Sequence, residues 1–319
     1  GIKGLVLTGS KMQDEPNGAP KHCLLTGKVN ERTGSDGKAY AIQFEIRLPV
    51  EWNGRFLHQV NGGNDGVVVP ALGERADGLS SGGKVALARG FAVLSSDSGH
   101  SASDPANKEK GLASGAIFGL DPQARIDFGY NSYDQVTRAA KALIQAYYGR
   151  APQRSYYVGC SEGGREGMVV SQRFPEQFDG VLACAPGLNL HKAALYGHSW
   201  DVQSFAEVSA ATGIYGRDGQ PLLNKTFTDE DLDLVAQAIL GACDGLDNLE
   251  DGIIDNFPAC TNAVVAPKLA AVQCMGAKRV TCLSAAQVKA IQNVYAGPRD
   301  AQGQMLWTDW AYDRGIGGK

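Results

Sequence analysis

Residues 158 to 167 read VGCSEGGREG, which sets Ser161 between Gly159 and Gly163 in the spacing G-x-S-x-G. On a sharp strand-to-helix turn this spacing lifts a serine hydroxyl clear of a sheet, and the flanking glycines remove side chains that would clash with strained backbone. The chemistry open to such a serine is acyl transfer: its oxygen attacks a carbonyl carbon while backbone N–H groups hold the oxygen that turns negative. Glu162 is expected to give the first N–H, at the N-terminus of the following helix. The second should come from the turn after an earlier strand, where HQVNGGNDG (58 to 66) offers Gly62 or Gly63. A glycine-rich βα turn that serves only close approach of backbone is the plainer reading of the same residues.

A serine nucleophile also needs a histidine and an acid. The five histidines are His22, His58, His100, His191 and His198. Only the last two follow Ser161, and no strand lies between to carry the acid. His100, in SDSGHS, reads as a structural residue or one that supports the site from behind its reacting groups. The base and the acid are therefore expected outside this chain.

A second cluster is acidic. CDGLDNLEDGIID (243 to 255) holds Asp244, Asp247, Glu250, Asp251 and Asp255. Carboxylates this dense repel one another unless a hard cation sits among them, and the interleaved glycines let carbonyl oxygens turn inward as further ligands. The run is not an EF-hand, because Leu246 takes the third position and Leu249 the place of the required glycine. A structural calcium ion is expected, against the alternative of a solvated acidic turn. Of seven cysteines, Cys243 with Cys260 and Cys274 with Cys282 form local pairs without zinc-site spacing, so two disulfides and an oxidising compartment follow. Cys23, Cys160 and Cys184 remain, the last read as an ordinary core thiol.

These residues need a scaffold. AYAIQFEIRLPVEW (39 to 52) alternates like a half-buried antiparallel strand. RFLHQV (55 to 60) and GFAVLSSD (90 to 97) are short apolar runs of the buried parallel kind, with GKVALARG (83 to 90) as a helix between them. SYDQVTRAAKALIQAYYG (132 to 149) has helical spacing, with Ser132 as cap and Gly149 as stop. RSYYVGC, EGGREGMVVSQRFP and FDGVLACAP then read strand, helix, strand, which is βαβ logic and a parallel sheet. Past about Leu190 the alternation lapses, so domains are expected at 1–189 and 190–319. Within the second, helices are expected over 228–242, capped by Thr228, and over 284–297, capped by Ser284 and stopped by Gly297.

Composition sets the class. Hydrophobic residues make up 43% and charged residues 20%, as in globular proteins, and a net charge of −4 gives no reason to expect nucleic acid or an anionic membrane as partner. The 41 glycines gather in loops such as 61–66 and 79–84. No apolar run is long enough to span a bilayer. The chain starts at Gly1 without a leader, which suggests a processed, soluble protein, secreted or periplasmic.

GCSEGGREG, with Cys before the serine and Gly-Gly-Arg after the Glu, resembles the tannase and feruloyl esterase family of α/β-hydrolases, in particular its bacterial members that cleave mono-(2-hydroxyethyl) terephthalate. WNGRFLHQVNGG, ARGFAVLSSDSGH, QRFPEQFDGVLACAPGLN and CDGLDNLEDGIIDNFPAC carry the same resemblance over most of the chain. It implies an α/β-hydrolase domain with a large lid inserted after the strand that follows the nucleophile helix. It also implies a Ser-Asp-His triad in which Cys160 is disulfide-bonded to a cysteine directly after the histidine. No histidine here precedes a cysteine, so the C-terminal strands, the Asp and the His are expected on a complementary polypeptide. For calcium the resemblance implies Asp244, Asp247 and Asp251 with the carbonyls of Leu249 and Ile253.

The expected function is therefore a serine carboxylic ester hydrolase acting on small aromatic-acid esters of feruloyl, galloyl or terephthalate monoester type, with no organic cofactor. A calcium-stabilised binding or scaffolding fragment with an incomplete triad is the competing reading.

Overall fold

Alternation along the strands decides which side chains meet on each face of the first unit. The computed structural model describes residues 4–14, 20–73, 84–103 and 115–318, and these fall into two units, Gly1–Leu188 and Asn189–Lys319. In the first, seven strands form one sheet among the described residues: β1 (Leu5–Gln13), β2 (His22–Thr33), β3 (Ala39–Pro49), β4 (Arg55–Gln59), β5 (Ala92–Ser96), β6 (Arg154–Cys160) and β7 (Gly180–Cys184). Their order is β1-β2-β3-β5-β4-β6-β7. The β1 to β5 side pairs antiparallel, and β5, β4, β6 and β7 pair parallel.

The central strands bury both faces, as parallel strands must. Phe56 of β4 with Ala92 and Leu94 of β5 joins Ile42, Phe44, Ile46 and Leu48 of β3 in one core, while Leu57 and Val93 point the other way into a second. The first core is closed by Val136, Ala139, Ala140 and Ile144 of the helix α2 (Ser132–Tyr148). Among the described residues β7 pairs only with β6, and its Leu182 is 43% exposed. The α/β-hydrolase fold expected from the sequence is present, with the sheet ending at β7.

Several local expectations change. Ser132 does not cap α2: the chain is already helical through α1 (Pro122–Ile126) and a π turn over Asp127–Asn131, and the Ser132 hydroxyl donates to the Asp127 carbonyl at 2.7 Å. The true cap is Asp121, which accepts from the Ala124 N–H at 2.7 Å. The helix expected over 83–90 shrinks to one 3₁₀ turn, Leu87–Arg89, stopped by Gly90 at φ 83°. Most of the glycine loop at 79–84 lies outside the described residues. α3 (Glu162–Arg173) follows β6 as expected.

The second unit is helical. α4 (Leu190–Lys192) and a π turn lead to α5 (Ser199–Thr212), followed by α6 (Asp229–Cys243), α7 (Asn262–Ala271) and α8 (Ala285–Ala296). Val235, Ile239, Val265, Leu269, Val288 and Ile291 form the core of α6, α7 and α8. Thr228 and Ser284 each close a capping box, which is why these two helices are legible. α5 and α7 were not expected; neither has a side-chain cap, and α7 carries Pro267. Both disulfides are formed, Cys243–Cys260 and Cys274–Cys282. Among the described residues no helix is long and apolar enough to cross a membrane.

Candidate active site

Ser161 stands at the joint of β6 and α3 with φ 59° and ψ −117°, backbone a non-glycine residue adopts only under constraint from its surroundings. Three hydrogen bonds supply the constraint. The Ser161 N–H donates to the Cys184 carbonyl at 3.0 Å, and the Ser161 carbonyl accepts from the N–H of Arg165 at 3.1 Å and of Gly187 at 3.2 Å. The flanking glycines are required by contact. A Cβ on Gly159 would lie 2.2 Å from Val60 Cγ2, and one on Gly163 would lie 2.4 Å from the Asn61 carbonyl oxygen. The side chain of Ser161 is left exposed.

Gly62 and Gly63 are not equivalent. A Cβ on Gly62 would sit 3.7 Å from the Cβ of Ser161, whereas Gly63 takes φ 70° with nothing within 4 Å. Gly62 is thus the residue beside the serine, and Gly63 makes the turn. Glu162 is buried at the first position of α3, and its carboxylate pairs with Arg165 at 2.5 Å. Burial raises the Glu162 pKa against the opposing pull of Arg165. Arg165 also donates to the Tyr133 hydroxyl at 2.8 Å and to the Phe128 carbonyl at 3.1 Å.

Beneath the turn lies a buried carboxyl, Glu166. Glu166 accepts from the Tyr157 hydroxyl at 2.8 Å, and burial, with the nearby charge of Asp65, raises its pKa well above the carboxylate range. Arg165, Glu166, Tyr133 and Tyr157 were not singled out in the sequence. Charged residues three and four positions after Glu162 on a glycine-rich helix are the signal for Arg165 and Glu166, whereas Tyr133 and Tyr157 come from other elements and carry no such mark.

The histidines of this unit do other work. His58 is fully buried, meets Thr137 Oγ1 at 3.0 Å, and is lowered by burial to about 3. His100 meets the Asn64 carbonyl at 2.7 Å and stacks on Phe118, a structural role as expected. His22 meets the Pro20 carbonyl at 2.8 Å. His191 and His198 belong to the second unit, where both are exposed. Among the described residues no hydrogen bond joins a histidine to the Ser161 hydroxyl.

Cys160 carries a thiol here, as do Cys23 and Cys184. Its sulfur lies 2.6 Å from that of Cys184, which is half-buried at the end of β7 and so is not the core thiol expected.

In the acidic loop, Asp244 Oδ1 accepts from the Gly252 N–H at 3.0 Å, Asp247 Oδ1 from Leu249 at 2.8 Å and Asp251 Oδ1 from Ile253 at 3.0 Å. Asp247 and Asp251 thus each cap a turn two residues on, Asp244 reaches across the loop to the Gly252 N–H, and Leu249 and Ile253 are more than half exposed. Among the described residues no three acidic, histidine or cysteine side chains converge as metal ligands.

A family model described as tannase and feruloyl esterase matches residues 23–316. A mono(2-hydroxyethyl) terephthalate hydrolase of Piscinibacter sakaiensis is 48% identical over 94% of this chain and 49% of its own length. A probable feruloyl esterase B-2 of Aspergillus flavus is 30% identical over 84% of this chain and 44% of its own. Among solved structures, feruloyl esterase B from Aspergillus oryzae superposes with a TM-score of 0.68 at 24% identity, over 98% of this chain and 57% of that one, and shares the fold. The chain spans about half the length of these relatives. With the family match running from Cys23 almost to the last residue, the chain belongs to the tannase and feruloyl esterase family.

Proposed function

We propose that this chain is the nucleophile-bearing portion of a secreted or periplasmic serine carboxylic ester hydrolase acting on small aromatic-acid esters. The observation that carries it is Ser161, an exposed residue held at positive φ on the β6–α3 turn, with Gly62 alongside. The relatives' names, a terephthalate monoester hydrolase and a feruloyl esterase, support the aromatic acyl group.

In this reading Ser161 Oγ attacks the ester carbonyl carbon, and the N–H groups of Glu162 and Gly62 hold the oxyanion. The alcohol leaves, and water hydrolyses the acyl-enzyme. The histidine that moves the proton and the acid that orients it come from polypeptide beyond this chain. The Glu162–Arg165 pair and the Glu166–Tyr157 bond fix the first turn of α3, hence the donor beside the nucleophile. Calcium is a separate proposal with a structural role: the density of carboxylates over 244–255 supports it, and binding requires them to turn from their capping bonds toward a shared ion.

The test is a serine-directed fluorophosphonate applied to the assembly with calcium present. Wild type is expected to label at Ser161 and Ser161→Ala to lose all label. A wild-type protein that takes up none would instead support a binding or scaffolding fragment.

A further inference from the structure

The strand pair β6–β7 is in register from Tyr156 opposite Gly180 to Cys160 opposite Cys184. Paired residues on neighbouring strands project to the same face about 4.8 Å apart, inside the roughly 4.4–6.8 Å range of Cα separations that a disulfide spans. The two sulfurs stand 2.6 Å apart, well inside ordinary nonbonded contact, and both residues are half-buried rather than sealed. The Cys184 carbonyl also accepts the Ser161 N–H, so this cysteine already braces the nucleophile turn through its backbone.

We infer that Cys184 is a resolving thiol for Cys160: any disulfide formed at Cys160 with an outside thiol is open to attack by Cys184, giving a Cys160–Cys184 bridge at the base of the nucleophile turn. The exchange balances without a further oxidant. Cys184 loses its proton, its sulfur bonds to Cys160 Sγ, the bond from Cys160 to the outside sulfur breaks, and that thiol departs carrying the proton. With oxidised glutathione as the starting disulfide, two glutathione thiols are released per bridge. Cys160 can therefore exchange between an outside partner and its neighbour on β7. The other remaining thiol, Cys23, lies buried on β2 and takes no part.

The experiment is peptide mapping after incubation of the folded protein with oxidised glutathione, quenching with acid and alkylation in denaturant. Trypsin places Cys160 in peptide 155–165 and Cys184 in peptide 174–192. The expected result is these two peptides joined and lighter by two hydrogens in wild type, with Cys184→Ser holding glutathione on Cys160 in their place. Wild-type protein in which Cys160 stays alkylated, keeps its glutathione or pairs with any other cysteine overturns the inference. The wild-type map stands by itself should the variant fold poorly. It is also independent of Ser161 labelling, so the esterase reading and this one can fail separately.

Discussion

Ser161 and His58 show how the same scaffold treats two reactive residue types in opposite ways. The serine is exposed on strained backbone, while the imidazole is fully buried against Thr137 and Tyr157. Burial holds His58 neutral down to about pH 3, but in the unfolded chain it protonates near 6.5. Between those values the unfolded state binds a proton that the folded state refuses, so stability falls as pH drops through that window. Its contribution is fully present above about 6.5. Asp97 works in the reverse sense: burial raises it to about 7, so the folded state keeps a proton that the unfolded state has lost above about 4. A difference between variants separates the two. Urea unfolding from pH 7 to pH 4 is expected to show a shallower loss for His58→Gln than for wild type, the gap approaching about 1.4 kcal/mol per pH unit at most. Equal slopes would mean that His58 does not titrate between states.

At the scale of elements, α6 and α8 begin on linked capping boxes. Thr228 and Ser284 accept from the N–H groups of Asp231 and Gln287 at 3.2 Å each, and Gln287 Nε2 donates to Asp231 Oδ2 at 2.8 Å. Thr228→Ala and Ser284→Ala should each cost about 1 kcal/mol. Because their partners touch, the double variant should depart from the sum by about 0.5 kcal/mol or more, read from urea midpoints. Strict additivity would deny the link. The acidic loop between α6 and α7 is closed by Cys243–Cys260, leaving a cation less chain to organise. If calcium binds there, a chelator lowers the melting temperature and added calcium restores it; an unchanged transition removes calcium from the account.

The whole molecule raises the question of where the sheet continues. Among the described residues β7 pairs only with β6, and the chain spans about half the length of its relatives. An open strand of this kind recruits further strands. On the proposed reading, the 319-residue chain by itself hydrolyses an aromatic ester no faster than its Ser161→Ala variant, and gains Ser161-dependent turnover when coexpressed with a polypeptide that supplies the base and the acid. Turnover by the isolated chain would place base and acid within it, with His191 and His198 the first to replace.

Much was determined by the sequence itself, wherever the cause is local. The G-x-S-x-G turn follows from steric exclusion at Gly159 and Gly163, the capping boxes from side chains three residues from their caps, and the disulfides from cysteines 17 and 8 residues apart. The first two strands, the α1–α2 continuity through Asp127–Asn131, and the uncapped α5 and α7 were not legible, because long-range pairing and burial hold them. Only the tertiary structure could choose Gly62 over Gly63, put Glu166 with Asp65, or bring Cys160 to Cys184, 24 residues away. Each of these depends on two segments meeting across strands or beneath a helix, and residue type carries no record of distance through space.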